Sequence, residues 1–372
     1  MTKKEPRVAI VCDWLTNMGG AERVVLALHK AYPDAPIYTS VFTPQTMPAF
    51  SGIDVRTTYL QKLPNALRRK HQLFPIQRFG AFRRLDLSDY DIIISSSSAE
   101  AKAIIKRPDA THICYCHTPT RYYWSHYREY LAAPGFGPLS SAVRVVLPAF
   151  IKMLRKNDLS AAEGVDYFIA NSSSVAERIK KYYGRRADVI NPPVDMVRFK
   201  DLGINEDRRG FIALGRQVPY KRYDLAVEAC NSLKIPLTLY GTGPDHKRLV
   251  RLAGPTIRFV EGANDKQVAK ALTHARAYLF PQDEDFGITQ IEAMAAGCPV
   301  IAYKKGGALD CVIEGKTGLF FNEQTAESLV RTLKTFKPDL FSPNVLQKHA
   351  SAFSEENFVK KIRSFVAAHT KI

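Results

Sequence analysis

The chain has no apolar run long enough to cross a bilayer. Its first residues, Met1-Thr2-Lys3-Lys4-Glu5-Pro6, carry no apolar signal core, so a cytoplasmic protein is expected. Cysteine is sparse. The six residues Cys12, Cys114, Cys116, Cys230, Cys298 and Cys311 are scattered, mostly in apolar surroundings, which excludes a disulfide framework and predicts buried thiols. Cys114-Tyr115-Cys116-His117 has no second ligand pair at metal-binding spacing, so no metal is expected. Acidic residues are missing altogether from Val55 to Leu85, in a chain whose formal net charge is +17. That balance requires an anionic partner. No recognisable nucleic-acid module is present, so nucleic acid is not the expected one.

What is present reads as two α/β domains. The 372 residues suffice for two cores, and 46% hydrophobic with 24% charged residues is ordinary for a globular protein. Apolar strand runs alternate with glycine- or serine-bearing loops and helical spacing, the pattern of doubly wound sheets. Arg7 to Cys12 is the first such strand. It leads through Gly19-Gly20 into a helix ending near Ala31. Only this glycine pair is present, so the loop is no dinucleotide fingerprint, and a simple tight turn explains it equally. Ile37 to Val41, Tyr90 to Ser95, His112 to Cys116 and Asp166 to Asn171 follow as strands. Ser95 to Ser98 are expected to cap a helix from Ala99, and a further helix is expected over Lys152 to Glu163. Leu131 to Phe150 reads either as the lining of an acceptor or lipid pocket or as plain core. Asn191-Pro192-Pro193 marks the linker. The expected division is residues 1–192 and 193–354, with a final helix within 355–372 returning to the first domain.

Two loops of the second half carry chemistry. After the strand Gly210 to Leu214, Arg216 and Lys221 flank a strand-to-helix turn. A forked guanidinium and a compact ammonium there suit a diphosphate. A turn containing Gly241 and Gly243 follows the next strand. The stretch around which the chain is organised runs from Leu279 to Gly307. A strand ends at Phe280, an acidic loop contains Glu284, Phe286 and Gly287 follow, and a helix starts near Ile288. Uncapped helix N–H groups and the helix dipole attract an anion, and Gly287 admits close backbone approach. Glu284 and Glu292 lie about two turns apart, too far for an acid/base dyad and suited to hydroxyl groups at opposite ends of a long ligand. A helix with an acidic first turn is the plainer reading.

Glu284-x7-Glu292 with Phe286-Gly287 inside it, and Ala295-x-Gly297-x-Pro299-Val300 after it, resembles the family 4 retaining glycosyltransferases. The resemblance covers nearly the whole chain. It implies the GT-B fold, two Rossmann-like domains facing across a cleft: acceptor-binding first, nucleotide-sugar-binding second. It implies that Glu284 contacts the transferred sugar and Glu292 the ribose hydroxyls. Arg216 and Lys221 would neutralise the leaving diphosphate in place of a metal or other cofactor. Gly19 and Gly20 would face phosphate, and Gly241 and Gly243 would line the nucleotide. Many relatives have Glu where Asp310 stands. The stretch CYCHTPTRYYW is similar to one in bacterial mannosyltransferases of lipopolysaccharide and capsule assembly, which places His117 against the donor sugar and offers Arg121 to an acceptor phosphate.

The expected reaction is metal-independent transfer of a sugar, mannose from GDP-mannose, to a polyprenyl-diphosphate-linked saccharide. Glucose, galactose or a deoxysugar donor is the alternative. In the basic segment Val55 to Leu85, Arg68, Arg69 and Lys70 stand among aliphatic and aromatic residues. This suits an anionic membrane surface and a peripheral location on the inner membrane face, or else an ordinary solvated surface. A nucleotide-sugar epimerase, a phosphorylase and a nucleic-acid-binding protein are the competing classes.

Overall fold

Short runs of Val, Ile and Ala that are buried from end to end belong to sheets covered on both faces. The computed structural model describes residues 6–68, 70–125, 127, 140–200, 202–203 and 207–370, with side chains of 140–146 set aside. In it such runs form two parallel sheets. The chain divides into two units, Met1–Asn191 with Phe358–Ile372, and Pro192–Asn357.

The first unit holds β1 (Val8–Cys12), β2 (Ile37–Thr39), β3 (Val55–Thr57), β4 (Ile92–Ser97), β5 (Thr111–Cys116), β6 (Tyr167–Ala170) and β7 (Ala187–Val189). Their order is β3-β2-β1-β4-β5-β6-β7. β1 and β4 run in parallel register from Val8 opposite Ile92 to Cys12 opposite Ser96. One core cluster joins Ile10, Leu28, Ile94, Ile113 and Ile169 to Phe358, Ile362 and Val366, which lie on one stripe of the helix Glu355–His369.

The second unit holds β8 (Phe211–Leu214), β9 (Leu237–Tyr240), β10 (Ile257–Val260), β11 (Ala277–Phe280), β12 (Val300–Tyr303) and β13 (Gly318–Phe321), in the order β10-β9-β8-β11-β12-β13. In each sheet the winding direction reverses once, between β1 and β4 and between β8 and β11. Loops leaving the carboxyl ends of strands diverge there and leave a crevice.

Three expectations are corrected. No helix starts at Ala99. The segment makes only a short 3-10 turn, Ala101–Ala103, because the Asp13 carboxylate accepts the N–H groups of Ser98, Ala99 and Ala101. The helix expected from Lys152 begins at Ser140 and carries Pro148 within it. Residues 131–139 of the segment read as pocket or core lie outside the described residues. Arg78, which lies within the basic segment Val55 to Leu85 read as membrane or solvated surface, is fully buried and paired with Glu100. Among the described residues no helix is long and apolar enough to cross a membrane.

Candidate functional site

In the second unit the crevice beside β8 and β11 gathers the predicted residues. Gly215 follows β8, and Lys221 closes a 3-10 turn, Pro219–Lys221. Tyr223 donates its hydroxyl to Leu214 O at 2.7 Å and pins the far side of this loop. Lys221 Nζ reaches Glu284 Oε1 at 3.2 Å, with only 12% and 17% of the two side chains exposed. The pair spans the reversal of strand order, since Glu284 lies in the loop after β11. Arg216 is exposed and makes no ion pair among the described residues.

The loop after β9 presses against the same turn. A side chain on Gly241 would collide with Gly215 O, and one on Gly243 with Gln217 O. The buried Gln217 stitches the loops together. Its Nε2 donates to Gly241 O at 2.6 Å, and its Oε1 lies 2.8 Å from His246 Nδ1. His246 Nε2 in turn lies 3.1 Å from Glu261 Oε1.

Gly287 adopts left-handed backbone (φ 86°) at the N-cap of the helix Ile288–Ala295, and no side chain caps that helix. Phe286 is buried beneath the turn. Gln290, also buried, donates Nε2 to Phe286 O at 3.0 Å and braces it. The first helical N–H groups at Ile288 are thereby presented by a fixed backbone. Thr289 shares a 2.8 Å hydrogen bond with the Tyr278 hydroxyl. Burial pushes that phenol well above its usual range, so it stays protonated. Glu292, 7% exposed, pairs with Arg198 Nη2. Glu284 and Glu292 therefore have separate cationic partners.

The first unit carries the other predicted residues. Gly19 is the extended N-cap of the helix Gly20–Ala31. At this helix start the carboxyl of Glu22 accepts backbone hydrogen bonds from Gly19 and from Glu22 itself. Burial, more than the nearby Asp13, raises its pKa to about 7. His117 follows β5, with Nε2 2.8 Å from Ser96 Oγ and its ring edge-on to Tyr115. Arg121 is half-buried in the turn beyond it.

The aromatic run after His117 is tied down by two buried carboxylates that local sequence does not flag. Asp158 accepts from Trp124 Nε1 (2.7 Å), Tyr183 OH (2.8 Å) and Thr120 Oγ1 (3.2 Å), and pairs with buried Lys102 at 2.6 Å. Glu100 accepts from Tyr123 OH and Arg78 Nε, each at 2.8 Å. These contacts hold the loop that starts at His117. Arg68 donates Nη1 to Gln61 O at 3.2 Å, Lys70 is exposed, and Arg69 lies outside the described residues.

Residues 18–198 match the profile described as Glycosyltransferase Family 4, and residues 197–352 that of Glycosyl transferases group 1. The chain is 28% identical over 239 residues to a D-inositol 3-phosphate glycosyltransferase of Geodermatophilus obscurus, covering 55% of this chain and 52% of that one. It is 25% identical over 357 residues to a sulfoquinovosyl transferase of Arabidopsis thaliana, covering 92% of this chain and 65% of that one. The chain thus spans about half the length of the inositol-phosphate relatives it matches. Among solved structures, Anabaena HepE in complex with UDP and glucose superposes with a TM-score of 0.67 at 17% identity, covering 98% of this chain and 100% of that one. Sucrose-phosphate synthase of Thermosynechococcus elongatus gives 0.69 at 17% identity, with the same coverage. With the two profiles accounting for residues 18–352 and the fold shared along nearly its whole length, the chain belongs to the family 4 glycosyltransferases of the GT-B fold.

Proposed function

We propose that the chain is a retaining glycosyltransferase that needs no metal, with its nucleotide-sugar site in the second unit. The Lys221–Glu284 pair at the reversal of the second sheet carries this reading. An ammonium held at a crevice by a single carboxylate can exchange that partner for a diphosphate oxygen. Arg216, exposed on the same loop, adds a forked cation, and the uncapped helix start at Ile288 adds backbone donors. Charge on the diphosphate grows as the bond from the anomeric carbon to the phosphate oxygen breaks, so these groups bind the transition state more tightly than the ground state. The acceptor hydroxyl oxygen forms the new bond on the same face, and its proton passes to the departing phosphate oxygen. A double displacement through a covalent sugar on Glu284 is the competing mechanism. Glu292 takes the ribose hydroxyls. His117 orients the donor sugar, a role that rests on its sequence surroundings.

GDP-mannose is the proposed donor on the resemblance of the His117 stretch. A UDP-sugar is the second reading, because the HepE neighbour binds UDP and glucose. The proposed acceptor is a polyprenyl-diphosphate-linked saccharide met at the inner membrane face, with Arg121 offered to its phosphate. Leu67, Leu73, Ile76 and Tyr59 are exposed beside the exposed cations Lys62, Lys70, Arg83 and Arg84, a combination suited to an anionic lipid surface.

The test is turnover of GDP-, UDP-, ADP- and dTDP-sugars with a lipid-diphosphate saccharide, with chelator present. Nucleoside diphosphate release that disappears in folded Arg216→Ala and Glu284→Ala is expected. Turnover of a UDP-sugar alone would replace the mannose assignment. No turnover and no nucleotide binding would sink the enzyme reading.

A further inference from the structure

Arg198 belongs to no motif of the sequence, yet it is the cationic partner of Glu292. It lies on the 3-10 turn Val197–Phe199, six residues past Pro192, where the second unit begins. The linker is tied down on both sides of it. Val194 is fully buried, and its N–H donates to Phe353 O at 2.9 Å. Phe199 is buried in the second unit's core. Between these anchors Arg198 turns inward, 15% exposed, with its guanidinium 4.8 Å from the Phe199 ring centre. Nη2 donates to Glu292 Oε1, and Nη1 pairs with Asp265 Oδ2 at 3.3 Å. Its Nε is buried without a hydrogen-bond partner among the described residues.

Two features separate this arrangement from a surface pair. Glu292 is buried, and a buried carboxylate is accommodated where a cation or hydrogen-bond donors pair with it. The planar fork of Arg198 also fixes which way the carboxylate faces, since Oε1 is engaged from the linker side. A carboxylate that must accept two hydroxyls of a ribose needs both features: a partner inside the protein and one orientation.

We infer that Arg198 is a positioning residue for the nucleoside end of the donor. It pairs with Glu292 and orients it for the ribose diol, so that the linker itself completes the ribose subsite. The inference rests on the reading of Glu292 as the ribose-binding carboxylate. It makes a demand that a merely structural pair does not: loss of Arg198 must reduce discrimination between ribose and 2′-deoxyribose.

The experiment is calorimetric binding of UDP, GDP and their 2′-deoxy analogues to the full chain, in wild type, Glu292→Gln, Arg198→Met and Arg198→Lys. Thermal unfolding of each checks the fold. A site built around a substrate hydroxyl rejects the analogue lacking it, so the wild type should prefer the ribonucleotide about tenfold or more. Glu292→Gln should bring that ratio close to one. Arg198→Met should lower it about fivefold or more, with Arg198→Lys between Met and wild type because one ammonium keeps the charge and loses the fork. A ratio lost in Glu292→Gln and kept in both Arg198 variants overturns the inference alone. A ratio unchanged in Glu292→Gln, or a wild type that binds neither nucleotide, overturns the reading beneath it. Should Arg198→Met fail to fold, Arg198→Lys decides.

Discussion

Replacing Glu22 by glutamine should stabilise the protein increasingly as pH rises, a result opposite to the usual effect of removing a helix-start carboxylate. Glu22 stands in the first turn of Gly20–Ala31, where the helix dipole favours its charge. Burial outweighs that help, and the adjacent Asp13 adds repulsion, so the carboxyl is lifted from 4.5 to about 7. An acid whose folded pKa is raised binds its proton more tightly when folded. Stability is therefore highest below the unfolded pKa and falls as pH climbs through the interval up to the folded one. Over that window the wild type should lose roughly 3 kcal/mol, because each pH unit between the two values costs about 1.36 kcal/mol. Glutamine has the same shape and no proton to lose. The stability gap between Glu22→Gln and wild type should widen by roughly 3 kcal/mol between pH 4.5 and 8 and level off above about pH 7. Denaturant midpoints at half-unit pH steps measure it, read from the transition that the substitution moves, since two units need not unfold together. A gap that is flat with pH, or that narrows as pH rises, would refute the burial argument.

Two further substitutions test the frame that holds the His117 loop. Lys102→Met leaves Asp158 with three neutral donors, whereas Asp158→Leu strands a buried ammonium together with Tyr183 and Trp124. Both should destabilise the fold, the second by about 3–5 kcal/mol and more than the first, and thermal unfolding that reverses this order would contradict the network. Asp13→Asn replaces an acceptor of four hydrogen bonds by a group with one acceptor oxygen and an amide facing backbone donors. It should cost about 2–4 kcal/mol, and an unchanged denaturation midpoint would show that Asp13 does not hold the loop after β4.

The sequence made visible whatever is written in local pattern. Buried apolar runs mark the parallel strands, and the helix placed near Ile288 is observed at Ile288–Ala295. The last helix, expected within 355–372, spans Glu355–His369. Hidden were the charges whose partners lie far along the chain. Glu292 and Arg198 are 94 residues apart, and Asp13 reaches a backbone 86 residues away at Ala99. No period or motif connects such positions. For the same reason the basic segment Val55 to Leu85 hid a core residue: the acid that pairs with Arg78, Glu100, arrives from the loop after β4. The Ser95–Ser98 run looked like a cap because serine caps helices. A carboxylate just beyond β1 takes the backbone donors instead.

The two sheets pose the same topological problem and solve it differently. At the reversal between β1 and β4, Asp13 buries its carboxylate under Ser98, Ala99 and Ala101, and Glu22 fills the neighbouring helix start. A ligand entering that seam would strand backbone donors at about 1–3 kcal/mol each. At the reversal between β8 and β11 the ion pair of Lys221 with Glu284 crosses the seam, and an entering diphosphate oxygen supplies a replacement partner for its cation. Exchanging Glu284 for a diphosphate oxygen leaves Lys221 paired and releases Glu284 toward a sugar hydroxyl. The crevice whose closure is cheap to undo is therefore the one expected to hold the anion. The sealed one is expected to act as a rigid frame, presenting His117 from a loop that its own buried carboxylates keep in place.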